Sequence, residues 1–165
     1  MTELRLTGIF PDATAAGEAL RAARLTLAVA ESCTGGLLGA ALTAVPGSSD
    51  YMRGGVIAYS DETKVDLLSV PPETITRCGA VSEEVALAMA DGARERCGAD
   101  VGVAITGVAG PGGGTRNKPV GLILVCVTGP SGALVERLDG DHGREPNRNR
   151  AVETALRLCI AAAGR

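Results

Sequence analysis

Aromatic side chains are nearly missing from this chain: there is no Trp, one Phe (Phe10) and two Tyr (Tyr51 and Tyr59) in 165 residues. Stacking platforms for single-stranded nucleic acid are therefore out of reach. The core has to be aliphatic and alanine-rich, which brings helices and strands close together. Basic charge is not in excess either. A formal net charge of −3 argues against a nucleic-acid partner and leaves room for a local anion site. One histidine, His142, and no clustered acids give little from which to build a catalytic metal centre. The five cysteines (Cys33, Cys78, Cys97, Cys126 and Cys159) are scattered, odd in number and free of any Cys-x-x-Cys pair. That pattern fits reduced thiols in a cytoplasm better than a disulfide framework or a zinc site. No apolar run reaches the length of a membrane span, and no basic-then-apolar leader opens the sequence. The expectation is a soluble cytoplasmic protein with no membrane partner, no metal and no cofactor.

What is present suffices for one domain over residues 1–165, with 45% hydrophobic residues to fill a core. Residues 1–10 read as a tail with some apolar character. Pro11-Asp12 opens a helix to about Arg24, with Ala15, Ala19, Leu20 and Ala23 on its inner side. The apolar run Leu25 to Ala30 reads as a buried strand. A helical pattern follows from Leu37 to about Val45 and ends at Pro46-Gly47. Arg53 to Tyr59 is a second strand, Ser60 caps a short helix through Leu68, and Glu73 to Cys78 makes one or two helical turns. Ser82 opens a longer helix to about Gly98, with Val85, Ala86, Met89, Ala90 and Ala93 inward. Val101 to Thr106 is a third strand. Val120 to Thr128 and Ala133 to Leu138 form an antiparallel hairpin around Gly129-Pro-Ser-Gly132. Pro146 fits the first turn of a last helix to about Ala163, with Val152, Leu156, Cys159 and Ile160 on one face. This order predicts a three-layer α/β/α sandwich with a mixed β-sheet.

Four stretches could carry chemistry. The first is Ala30-Glu31-Ser32-Cys33-Thr34-Gly35-Gly36, where a strand gives way to a helix. A hydroxyl held there can act as a nucleophile beside unpaired main-chain amides; a plain helix N-cap is the alternative. The second is Tyr59-Ser60-Asp61-Glu62-Thr63-Lys64. Lys64 falls in the first turn of a helix, where the dipole and partial burial both lower an amine's proton affinity, opposed by Asp61 and Glu62. A neutral lysine can take a proton from serine; an exposed surface lysine is the alternative. Tyr59 is either a half-buried strand aromatic or an orienting donor. The third is the glycine-rich loop from Gly107 through Gly110 to Pro119. It is neither a Walker loop nor a dinucleotide fingerprint, and it is either an anion-binding nest or a flexible loop. The fourth is the set Arg144, Arg148 and Arg150, suited to phosphate or carboxylate or else simply solvated. His142, in a polar stretch, fits surface or ligand contact better than a catalytic triad.

Taken together, Ala30–Gly36, Gly55–Ser60 with Lys64, Ile105–Thr115 with Lys118-Pro119-Val-Gly121, and Arg144 with Arg148 before Ala151-Val152 resemble the CinA C-terminal domain family, which contains nicotinamide-nucleotide amidohydrolases. The resemblance runs from about Leu20 to the end. It implies hydrolysis of nicotinamide mononucleotide to nicotinate mononucleotide and ammonia, with Ser32 as nucleophile, Lys64 as general base and Tyr59 assisting. On helix geometry, Thr34 and Gly35 would fall at the oxyanion-binding helix start. Gly107, Gly110 and Arg148 would contact the ribose phosphate. The resemblance also implies a homodimer or higher homo-oligomer. The stretch Gly140-Asp141-His142-Gly143-Arg144 departs from the Gly-Asp-Arg common near the family's end, which loosens the register of Arg144. The competing reading is a non-catalytic nucleotide-binding or regulatory module of the same fold.

Overall fold

The computed structural model describes residues 6–164; of the expected N-terminal tail, the part before Leu6 lies outside the described residues. In chain order the elements are α1 (Leu6–Ile9), α2 (Asp12–Ala23), β1 (Leu27–Glu31), α3 (Leu37–Thr43), β2 (Met52–Ile57), α4 (Asp61–Leu68), α5 (Pro72–Cys78), α6 (Glu83–Cys97), β3 (Val101–Gly107), β4 (Ile123–Gly129), β5 (Gly132–Leu138) and α7 (Arg144–Ala163). The strands form one sheet in the order β2-β1-β3-β4-β5. β1 pairs in parallel with β2 and β3, whereas β3–β4 and β4–β5 are antiparallel. The sheet is mixed, with the expected hairpin at its end.

Successive side chains of a strand point to opposite faces, and here the two faces differ in size. Leu27, Val29, Val101, Val103, Ile105, Val125 and Val127 share a core with α2, α3 and α7. Ala28, Ala30, Ala104 and Cys126 share the other with α4 and α6. The large-residue face holds its helices at a distance that branched side chains fill. The small-residue face lets α6 come close: a Cβ on Gly102 would overlap the Ala90 carbonyl. Helices on both faces complete the three-layer α/β/α sandwich. α6 buries Val85, Ala86, Met89, Ala90 and Ala93 and is capped by the Ser82 hydroxyl, which accepts the Val85 N–H at 3.3 Å.

Three expectations are corrected. α2 buries Ala13, Ala16, Gly17 and Leu20 rather than Ala15, Ala19 and Ala23. Alanines lie all round this helix, so burial is decided elsewhere: the Tyr51 ring lies against Gly17 too closely to admit a Cβ there. Leu25 belongs to the end of α2, not to a strand. Its N–H donates to Leu20 O at 2.9 Å, behind a left-handed Arg24. The described end of the tail is helical, and Phe10 after it is buried. No helix among the described residues is long and apolar enough to cross a membrane, and all five cysteines are unpaired thiols.

Candidate active site

Ligands of open α/β sheets bind outside the carboxyl ends of the parallel strands. Here the turn after β1, the Ala58–Ser60 segment after β2 and the loop after β3 meet around a cavity of about 280 Å³. Its lining includes Ser32, Tyr59, Asp61, Lys64, Thr106 and Arg144. Three larger hollows, of about 430 and 410 Å³ beside α7 and about 390 Å³ between α4 and α5, contain neither Ser32 nor Lys64.

Lys64 reaches this cavity because α4 starts where it does. The Ser60 hydroxyl accepts the Thr63 N–H at 3.2 Å, fixing the first turn. That start turns Lys64 and Leu68 inward on one side of the helix. Lys64 is 1% exposed. Its Nζ stands 3.5 Å from Ser32 Oγ, 3.1 Å from Ala58 O, 3.4 Å from Tyr59 O and 3.4 Å from Ser60 O. Asp61 Oδ1 lies 3.9 Å away. Burial lowers the amine's proton affinity below that of an ordinary lysine, and Asp61 partly offsets the effect. A neutral amine has two N–H donors and one lone pair. Main-chain oxygens can take both donors, leaving the lone pair for the Ser32 hydroxyl.

Ser32 directly follows β1, and its N–H donates to Ile105 O at 2.9 Å, extending the β1–β3 pairing into the site. α3 begins at Leu37, where the helical pattern was expected to begin, so the turn over residues 33–36 separates Ser32 from the helix start. Its leading amides are already taken: Glu31 Oε2 accepts Gly36 N–H at 3.1 Å and Leu38 N–H at 3.1 Å, and Oε1 accepts Gly39 N–H at 2.8 Å. This carboxylate is 1% exposed; the positive helix end stabilises it. Gly35 is corrected as an oxyanion donor, because its N–H donates to Ser32 O at 3.0 Å. The N–H groups of Cys33 and Thr34 make no hydrogen bond to another described residue. Burial pushes the Cys33 thiol up to about 11, so it stays protonated at neutral pH.

Gly107 and Gly110 line the cavity, whereas Arg148 does not. Its guanidinium donates to Thr34 O at 2.8 Å, so it supports the serine turn from behind. Arg144 takes the place at the rim. It donates to Gly110 O at 2.7 Å and to the Tyr59 hydroxyl at 3.2 Å, bridging two loops. Tyr59 is 60% exposed; it meets Lys64 through its main-chain oxygen and Arg144 through its hydroxyl. Arg150 donates to Gly140 O at 3.3 Å and to Asp139 O at 3.4 Å, away from the cavity. His142 is exposed. Among the described residues no group of three or more His, Cys, Asp or Glu is placed to hold a metal ion.

Three contributors carry no separate signal in the sequence. Glu31 reads as a strand end. Asn147, fully buried, donates to Ala109 O at 3.1 Å and Asp141 Oδ1 at 3.0 Å while accepting His142 N–H at 3.0 Å; it ties the 139–143 loop to the glycine loop. Lys118 donates to Cys78 O at 3.0 Å and also to Val81 O, closing the turn before α6.

A sequence profile of the CinA C-terminal domain matches residues 11–162. A CinA-like protein of Synechococcus sp. (strain RCC307) is 57% identical over 141 residues, covering 84% of this chain and 34% of that protein. One from Synechocystis sp. is 59% identical over 120 residues, covering 73% and 29%. The chain thus spans about a third of the length of these curated relatives. Among solved structures, the competence/damage inducible protein CihA from Agrobacterium tumefaciens superposes with a TM-score of 0.90 at 41% identity, covering 95% of this chain and 96% of that one. A competence-damaged protein (CinA) superfamily member from Escherichia coli gives 0.89 at 33% identity, covering 100% and 95%.

Proposed function

The chain belongs to the CinA C-terminal domain family, and we propose that it is an amidohydrolase that deamidates nicotinamide mononucleotide to nicotinate mononucleotide and ammonia. One observation carries this reading: the amine of Lys64 lies 3.5 Å from the hydroxyl of Ser32 on the floor of a cavity, with both side chains buried.

Ser32 Oγ attacks the carboxamide carbon while Nζ of Lys64 takes its proton. The N–H groups of Cys33 and Thr34 hold the oxyanion. When the C–N bond breaks, Lys64 returns the proton to nitrogen and ammonia leaves. Water then attacks the Ser32 ester; Lys64 takes the proton from water and restores it to Ser32, freeing the carboxylate product. Arg144 and the main chain of the glycine loop face the phosphate. With so few aromatics, main chain and Tyr59 hold the ring. Lys64 must be neutral to act, so turnover rises with pH through its lowered titration.

The test is ammonia release from nicotinamide mononucleotide by the wild-type protein and by Ser32→Ala. Release by wild type and its loss in the variant are expected. Release that survives Ser32→Ala removes the nucleophile assignment. Binding without release by wild type assigns the chain to the non-catalytic nucleotide-binding class. A cytoplasmic location and a homodimer or higher homo-oligomer belong to the same proposal. Exposed Ile57 at the end of β2 and exposed Tyr59 at the cavity suit such an interface, and sedimentation reads it.

A further inference from the structure

The cavity's lining contains one acid, Asp61, beside two cations, Lys64 and Arg144. The Asp61 side chain is 55% exposed and opens into the site at the first residue of α4. Among the described residues its cationic neighbour is Lys64, with Oδ1 at 3.9 Å from Nζ, and Nζ in turn is 3.5 Å from Ser32 Oγ. The carboxylate is therefore placed at the reacting end of the site, while Arg144 marks the rim beside Tyr59 and Gly110.

The chemistry sets up a conflict. Lys64 has to lose its proton before it can accept one from Ser32. Once it does, Asp61 is left in the cavity without its cation. A ligand carrying a fixed positive charge close to its carboxamide resolves this, because it replaces the ammonium as partner of the carboxylate. A nicotinamide ring joined to ribose is such a ligand: its nitrogen is a permanent cation two ring bonds from the carbon that bears the amide.

We infer that Asp61 is a specificity-determining residue that selects carboxamides borne on a positively charged ring, its carboxylate passing from the Lys64 ammonium in the empty site to the ring in the complex. This rests on the deamidase reading above. The proton displaced from Nζ leaves to solvent as the ring enters, so the substrate's own charge helps to prepare the base. The other groups facing Lys64 do not supply this exchange. Glu62 is on the same helix and fully exposed, Cys33 from the serine turn stays a thiol, and Arg144 and Tyr59 are paired with each other at the rim.

The test compares nicotinamide mononucleotide with its reduced form, which keeps the carboxamide, ribose and phosphate but has an uncharged dihydropyridine ring. Binding is measured by calorimetry in a Ser32→Ala background, so that turnover does not intervene. The expected result is a preference for the charged ring that falls at least about fivefold in Asp61→Asn, the upper range of an exposed ion pair, and recovers in part in Asp61→Glu. In buffers of differing ionisation enthalpy, the charged ring releases protons on binding and the neutral ring does not. Equal affinity for both rings, or a preference unchanged by Asp61→Asn, overturns the inference while leaving the deamidase reading intact. Failure to bind either nucleotide overturns both. Such a failure is recognised separately, because wild type then also releases no ammonia.

Discussion

Replacing Glu31 by Gln keeps the side chain's size and removes its charge. The carboxylate accepts three N–H groups at the start of α3, two on Oε2 and one on Oε1. A glutamine oxygen can keep the Gly36 and Leu38 pair. The amide nitrogen then turns a donor toward the Gly39 donor, so one bond to a charged acceptor is lost, a buried N–H is orphaned and the helix end loses its counter-charge. Together these cost about 2–4 kcal/mol. For a chain of this length that corresponds to a fall in Tm of roughly 5–10 °C. Gln is the informative choice because Ala would orphan all three amides at once. The turn from Ser32 to Gly36 hangs on the same carboxylate, so Cys33 and Thr34 lose their set positions. We expect kcat for ammonia release to fall about tenfold, near 1.4 kcal/mol in the barrier, with KM within about twofold. Thermal melts and steady-state kinetics on one preparation read both effects. An unchanged Tm refutes the clamp. A lowered Tm with wild-type kcat refutes its link to the nucleophile.

The remaining predictions concern packing, support and charge. Gly102→Ala drives a methyl into the Ala90 carbonyl and should cost about 1–3 kcal/mol in chemical denaturation; a change within measurement error would show that α6 does not lie close on the sheet. Arg148→Ala removes the bond to Thr34 O, so kcat should fall while KM stays within about twofold; the reverse split would restore Arg148 as a phosphate ligand. Burial holds Lys64 below its unfolded titration point, so between the two the unfolded chain binds more protons and stability rises with pH. The Tm of wild type relative to Lys64→Met should therefore rise on going from neutral pH to about pH 10; a flat difference would place the amine in water.

The elements were legible where local chemistry is unambiguous. Ser60 and Ser82 cap the helices they were expected to cap, α6 turns its alanines and Met89 inward, and the hairpin closes around Gly129–Gly132. The face of α2 was not legible, because a helix with alanine all round has no dominant stripe and Tyr51, far along the chain, decides the matter. In the site, Ser32 and Lys64 were each legible as candidates from their local positions, but nothing local pairs them: their spacing of 32 residues has no meaning until β1 and β2 pair side by side. Of the two expected oxyanion donors, Gly35 has its N–H taken by Ser32 O. Anion binding at helix starts is a sound rule, but Glu31 occupies this one, and a carboxylate reaching forward over five to eight residues leaves no periodic trace in sequence. Arg144 and Arg148 lie one helical turn apart on α7, which sets Arg148 against Thr34 O and Arg144 against Gly110 O at the rim of the cavity.

The central claim is that Lys64 makes Ser32 nucleophilic, and it can be tested without any assumption about substrate. A serine-directed phosphonofluoridate is added to wild type and to Lys64→Met, and the labelled peptide is located by mass spectrometry. Modification on Ser32 is expected, slowing as the pH is lowered and at least about 100-fold slower in Lys64→Met, the lower range of general-base assistance. Labelling of Ser32 at the same rate in both proteins, or labelling elsewhere, contradicts the pairing.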